Sequence, residues 1–354
     1  FFDVENSLPA APSDWSSGNG QWSDRRASGL VDRYAPISHG LFSGPQSAEQ
    51  LELVSSLASV QRIADRVVSS FGSFDPEDIR PKHGPGAVSE RPPMGYKYNF
   101  PSWSPNLDAV FAYDAFGIPN VSQLLDGSDD DVPARLLEHH SSLFAVLKTQ
   151  KGPRLIASEP VANQFVQQGV AGLLRRRVSA SLLKHCIDFF DQRPSQEAAL
   201  RGSTDGSNAT IDLSSASDRL SCVVVDNIFR SNFDLRNMLI ATRTRFLSNR
   251  LDSRNDSLIS LRKFATMGSA LTFPVQSIVF ALIALGVGST FHPKMPLRKL
   301  VEKVRVFGDD IIVPKHWVGR LYRVLHAVGL KVNESKSYST GFFRESCGVD
   351  AYKG

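Results

Sequence analysis

The stretch Val304-Arg305-Val306-Phe307-Gly308-Asp309-Asp310-Ile311-Ile312-Val313 decides how the rest of this chain is read. Two short runs rich in Val, Ile and Phe flank a Gly-Asp pair, which is the composition of a tight β-hairpin. The first turn position of such a hairpin takes a positive φ, which glycine adopts without a Cβ clash. Asp309 in the turn and Asp310 after it place two carboxylates side by side. Adjacent carboxylates repel, and they stay ionised together when a cation lies against them. An isolated Gly-Asp-Asp is ordinarily a solvated acidic turn, so the remaining chain has to choose between the two readings.

Composition narrows the choice. The 354 residues suffice for one large domain or a few small ones, with a sizeable core. A 42% hydrophobic and 21% charged composition excludes a disordered chain. The net charge of +4 is mild, so local clusters bear on anionic partners more than the total does. Cys186, Cys222 and Cys347 are odd in number and lack C-x-x-C spacing. They argue against a disulfide framework and a zinc site, and fit a reducing compartment. The start lacks the basic and apolar regions of a signal peptide. With no initiator Met, and with no closing element before Gly354, the chain reads as a fragment. The apolar run from Ala270 to Val287 is interrupted by Thr272, Pro274, Gln276 and Ser277. It reads as a buried core helix with a polar edge, not a membrane span.

Residues 1–45, rich in Ser, Gly, Pro and Asp with Arg25, Arg26 and Arg33, are expected to be irregular and to wrap another part of the molecule. Ser47 and Gln50 form a capping box that opens a helix from Ala48 to Phe71, with Leu51, Val54, Leu57, Ile63 and Val67 as its apolar stripe. Lys82 to Ala87 is a glycine-proline turn carrying Lys82 and His83. The acids of Asp126 to Asp131 do not follow the EF-hand spacing and read as an acidic loop. Lys148, Lys151 and Arg154 surround a turn leading into a strand, and an anionic substrate is their natural partner. Glu159-Pro160 opens a helix that ends at Arg175-Arg176-Arg177, where cations complement the helix dipole.

In Thr210-Ile211-Asp212-Leu213-Ser214-Ser215-Ala216-Ser217-Asp218, Asp212 falls at a strand end, where a metal ligand would sit. Ser217 is expected to cap the following helix, with Leu220, Val223, Val224 and Ile228 on its apolar face. Residues 236–263 carry Arg236, Arg243, Arg245, Arg250, Arg254, Arg262 and Lys263, either a solvated helical face or a surface for a phosphate backbone. After the hairpin, Trp317, Leu321, Val324, Leu325 and Val328 mark an amphipathic helix closed by Gly329, and Leu330 to Asn333 a strand.

Strand–helix followed by hairpin–helix–strand is the connectivity of a small antiparallel sheet backed by helices, an α+β palm. There, a strand-end Asp212 and a turn Asp309, with Asp310 assisting, suit two Mg²⁺ ions (Mn²⁺ being an alternative) about 4 Å apart. The expected chemistry is nucleotidyl transfer, in which one ion would activate a primer 3′-hydroxyl and the other would stabilise the leaving pyrophosphate.

These motifs resemble those of RNA-directed RNA polymerases, and most of all the replicase catalytic subunit of levivirus-type single-stranded RNA bacteriophages. Asp212 to Asp218 is similar to the first palm motif of that family, Met267 to Phe273 to its second, and Phe307 to Ile312 to its third. Phe343 to Gly348 resembles the segment closing the palm, and Arg154 with Ile156 to Pro160 the fingers motif that meets the incoming triphosphate. The resemblance extends from about Lys148 to Gly348. It implies metal binding by Asp212, Asp309 and Asp310, and nucleotide contacts from Lys148, Lys151, Arg154, Ser217, Asp218, Gly268, Ser269 and Thr272. The expected fold is a right-hand polymerase with fingers, a palm and a truncated or absent thumb. Residues 1–140 would form an N-terminal extension and fingers-associated region, 141–205 the fingers with the basic loop, 206–345 the palm with a basic fingers-side insertion at about 236–262, and 346–354 the start of a thumb. Partners implied are RNA template and product, ribonucleoside triphosphates, host translation elongation factors and a ribosomal protein, in the cytoplasm of an infected bacterium.

In one departure, Gln276 and Ser277 are the polar residues near the position where many viral polymerases carry an Asn after the second motif. A reverse transcriptase uses the same two-metal palm, but places an aromatic–x–Asp-Asp hairpin and an aromatic residue behind the first Asp. A non-catalytic RNA-binding virion protein would account for the basic runs and leave the three aspartates without a use.

Overall fold

A computed structural model describes residues 1–23, 29–34, 47–90, 96–98, 100, 102–118, 137–149, 152–251 and 257–354. Arg25, Arg26, the Asp126–Asp131 acids, Lys151, Asp252, Arg254 and Asp256 lie outside them. The N-terminal segment forms short helical turns at Phe2–Ser7, Ser13–Ser16 and Leu30–Tyr34 where irregular chain was expected. It wraps the body as anticipated, with Glu5 accepting from the Lys263 amide and Trp15 Nε1 donating to Asp226.

Both hydrogen bonds of the Ser47–Gln50 capping box are present, and they open α1 (Ala48–Ser69). Leu57, Ile63 and Val67 are buried with Val60, Ala64 and Val68. Leu51, expected on the buried stripe, is instead exposed, because the first turn overhangs a surface cleft. His83, one of the two possible cations the sequence placed at a glycine-proline turn, packs its ring against Tyr98, Phe100 and Phe165.

Strands β1 (Ser141–Thr149) and β2 (Gly152–Ser158) precede α2 (Val161–Ala180) and α3 (Arg193–Asp205). Then come β3 (Asn208–Ile211), β4 (Leu213–Ser214), α4 (Ala216–Arg219), α5 (Cys222–Phe229) and α6 (Phe233–Thr242). Ser221, not Ser217, caps α5 by accepting from the Val224 amide. Leu220 is extended between α4 and α5, so the helix starts one short turn later than its apolar pattern suggests.

The basic run contains β5 (Phe246–Asn249) and β6 (Leu258–Ser260). Helix α7 (Thr272–Phe291) follows, then β7 (Arg305–Phe307), β8 (Asp310–Pro314), α8 (Val318–Ala327), β9 (Lys331–Val332), β10 (Phe343–Ser346) and β11 (Val349–Tyr352). Among the described residues, α7 is the helix long and apolar enough to cross a membrane, but most of it is buried against α1 and α8. A helix apolar all round is what a core position requires.

The architecture is α+β. One sheet runs β2-β1-β5-β6, antiparallel except for the parallel β1–β5 pair. The second runs β3-β8-β7, all antiparallel, with β4–β9 and β10–β11 as separate two-stranded ribbons. The main core lies between the second sheet and α1, α2, α5 and α7.

Candidate active site

Register places the acids. β3 and β8 pair with Ile211 opposite Ile311, so the next position on each strand brings Asp212 against Asp310 at the end of the ladder. β7 and β8 close with Phe307 opposite Asp310, leaving Gly308-Asp309 as the two-residue turn. Gly308 has φ +64°. A Cβ there would come within 2.9 Å of the Phe273 ring. The Gly308 amide donates to Ser277 Oγ at 3.1 Å, which in turn donates to the Phe273 carbonyl at 2.8 Å. The first two turns of α7 thereby fix the hairpin, which gives Ser277, one of the two polar residues noted after the second motif, a structural place.

The three carboxylates are held differently. Asp212 Oδ2 accepts from Asn333 Nδ2 at 2.7 Å, while its carbonyl accepts from the Asn333 amide at 2.9 Å. Burial pushes its carboxyl above the ordinary range; the Asn333 bond opposes that and the Asp309 charge adds to it. Asp310 Oδ2 accepts from the Cys347 amide at 2.9 Å. Its carboxyl is also raised, first by burial and then by the charges of Asp309 and Asp212, against the Cys347 bond. Asp309 is exposed at the turn. Cys347 and Gly348 both have positive φ, +50° and +74°, as the tight β10–β11 turn demands.

Asp212 and Asp309 line a cleft of about 890 Å³. Arg154, Ser217, Asp218, Ser269 and Thr272 line the same cleft, so residues from four separate stretches of sequence converge there. Gln276 also lines it, on the first turns of α7. Asp310 and Gly268 are not among the lining residues. Gly268 packs on β2 so closely that a Cβ would fall 1.7 Å from the Ala157 carbonyl oxygen. Lys148 is on β1, and its side chain, like all of Lys151, lies outside the described residues.

Asp218 Oδ1 accepts from Lys263 Nζ at 2.7 Å, and Lys263 is 1% exposed. A buried ammonium beside it fixes the direction of that carboxylate. Thr272 Oγ1 donates to the Thr266 carbonyl at 2.6 Å, which ties the start of α7 to the preceding loop.

Three residues have roles here that the sequence did not assign. Asn333 orients Asp212, and Lys336 lines the cleft and lowers the Asp212 carboxyl through its charge. The Asn-x-x-Lys spacing just after the strand was the available signal. The third is Glu159, a buried carboxylate that accepts from Ser141 Oγ, Gln167 Nε2, Thr244 Oγ1 and Thr266 Oγ1. It ties β1, α2 and the loop before α7 to one point, and no local pattern announces that.

Among the described residues, no group of three or more His, Cys, Asp or Glu side chains closes a metal cage by itself. Asp212 and Asp309 with the nearby Asp310 charge instead offer a small anionic site. That fits a hard divalent ion completing its shell with water and substrate phosphate.

Residues 44–354 match the family model described as RNA replicase, beta-chain. Over 213 residues the chain is 36% identical to the RNA-directed RNA polymerase beta chain of Enterobacteria phage GA, covering 60% of this chain and 37% of that one. Over 214 residues it is 34% identical to the corresponding beta chain of Enterobacteria phage fr, covering 60% and 36%. Over 216 residues it is 35% identical to the RNA-directed RNA polymerase subunit beta of Escherichia virus Qbeta, covering 59% and 33%. The chain thus spans about a third of the length of these curated relatives.

Proposed function

The chain belongs to the RNA replicase, beta-chain family, and from that premise we propose that it carries the palm and part of the fingers of an RNA-directed RNA polymerase. The observation supporting this most directly is the convergence of Asp212, Asp309, Asp218 and Arg154 on one cleft. On this reading β3, β7 and β8 with their helices are the palm, and the β2-β1-β5-β6 sheet belongs to the fingers. The β10–β11 hairpin goes wholly with the palm, since a thumb boundary at residue 346 would divide paired strands.

Asp212 and Asp309 would hold Mg²⁺, with Asp310 contributing charge from behind. Mg²⁺ bound there supplies a Lewis acid for the attacking 3′-hydroxyl and for the departing pyrophosphate. The chain's own groups do the positioning. Asn333 aims the Asp212 carboxylate, Ser277 and Phe273 hold the hairpin, and Arg154 and Lys336 meet the polyphosphate charge. Asp218, held at one oxygen by Lys263, has its other oxygen for a ribose hydroxyl. Residues 213–217 supply no aromatic side chain behind Asp212, which favours ribonucleotides over the deoxyribonucleotides of a reverse transcriptase. RNA template, RNA product and ribonucleoside triphosphates are the proposed substrates and partners in an infected bacterial cytoplasm. Host translation elongation factors and a ribosomal protein are proposed as further partners.

The test is Mg²⁺-dependent incorporation of ribonucleotides, against deoxyribonucleotides, on an RNA template, by this chain and by a polypeptide extended to the length of its relatives. Asp309→Asn should lower incorporation on the order of a thousandfold while folding and RNA binding stay near normal. An Asn variant of normal activity would defeat the reading.

A further inference from the structure

A second pocket, of about 750 Å³, lies beside the α4 turn and the β4–β9 ribbon and shares no lining residue with the cleft. Arg33, Arg219, His326 and Lys331 line it, and among the described residues no Asp or Glu does. Among the described residues, the cations that are buried outright, Arg236, Arg243, Lys263 and Arg344, all have partners. Arg236 has Asp14 and Asp226, Arg243 has the carbonyls of Trp15, Leu261 and Phe264, and Lys263 has Asp218. Arg219 differs: its Nε is buried without a hydrogen-bond partner, as are single nitrogens of Arg177, Arg236, Arg320 and Arg344, but among the described residues those four bond through their other nitrogens and Arg219 through none. Arg33, His326 and Lys331 stand exposed around the recess, and among the described residues none of them has an acidic partner.

Like charges gathered around a recess repel, and a guanidinium N–H without an acceptor costs free energy. An anion relieves both, and phosphate oxygens match the guanidinium fork best. The pocket also has a route to the cleft. Arg219 directly follows Asp218, and Lys331 pairs with Ser214, both of them cleft residues.

We propose that this pocket is a second phosphate-binding site, distinct from the cleft, in which Arg33, Arg219 and Lys331 hold the phosphate of a nucleotide or of an RNA backbone. It rests on the pocket's own charge and stands whether or not the polymerase reading does.

Arginine modification by phenylglyoxal, mapped peptide by peptide on the full chain, reads the site directly. Two probes separate the sources: a nucleoside triphosphate, and a single-stranded oligoribonucleotide without a terminal phosphate. Arg33 and Arg219 should be protected by at least one of them, and Arg154 reports the cleft independently in the same digest. Lys331→Gln should raise the probe concentration for half-protection of Arg33 and Arg219 about tenfold and leave that of Arg154 unchanged. Protection by the triphosphate alone identifies free nucleotide, and protection by the oligoribonucleotide identifies the backbone. Unchanged modification of Arg33 and Arg219 with both probes overturns the proposal, and so does a Lys331→Gln variant protected just as the native chain is.

Discussion

At the scale of single residues, three neighbouring aspartates have three environments. Asp212 is aimed by Asn333, Asp309 is exposed at the hairpin tip, and Asp310 is tethered to the Cys347 amide. The sequence made Asp212 and Asp309 primary and Asp310 secondary; in the fold Asp310 stands across the end of the ladder from Asp212 and does not line the cleft. Its raised carboxyl has a consequence for stability. A carboxyl whose folded value exceeds its unfolded value favours folding fully below the ordinary carboxylate range, and that contribution is lost as pH rises through the raised value. Asp310→Asn should therefore raise the melting temperature of the metal-free chain near neutral pH, and the gain should shrink toward acid pH. Thermal melts in chelator across that range check it, and an unchanged or lower melting temperature at neutral pH counts against it.

At the scale of elements, the hairpin, the capped helix α1 and the core helix α7 were legible because each is set by local chemistry. A Gly-Asp turn, a Ser-x-x-Gln box and a long apolar run need no distant partner. The strands β1, β5 and β6 were not legible. They earn their conformation by pairing with one another, and β1 meets β5 about a hundred residues further along. The Gly268 loop is a similar case, since only its contact with β2 shows why the residue is glycine. Gly268→Ala must push that loop from the Ala157 carbonyl, displacing Ser269 and the start of α7. It should cost about 1–3 kcal/mol in a denaturant titration. A variant of native stability would mean that the loop has slack the packing does not show.

At the scale of the whole molecule, the basic run 236–263 changes meaning. Sequence alone offered a solvated face or a phosphate-binding surface. In the fold, Arg236 is buried between Asp14 at 2.8 Å and Asp226 at 2.7 Å, Arg245 pairs with Glu138, and Arg262 donates to the carbonyls of Asn6 and Leu8. These cations fasten the N-terminal segment and the residue 138 region to the body. Breaking such a buried pair leaves uncompensated carboxylates, so Arg236→Gln should destabilise the chain by about 3–5 kcal/mol. Equilibrium unfolding measures that, and a salt titration of RNA binding by the folded variant should keep the native slope. A reduced slope with native stability would return Arg236 to the RNA-binding surface.

The sequence by itself determined the α+β class, the hairpin that carries Asp309 and Asp310, the strand-end position of Asp212 and the order of the motifs. Periodicity, turn chemistry and capping act over a few residues and are written where they act. The tertiary structure alone decided which cations face the cleft and which face the protein. It also brought Asn333 to Asp212, Lys263 to Asp218 and four donors to Glu159. Each of those choices depends on partners between a few and more than a hundred residues away, and the charge of a side chain does not say which carboxylate the fold will bring to it.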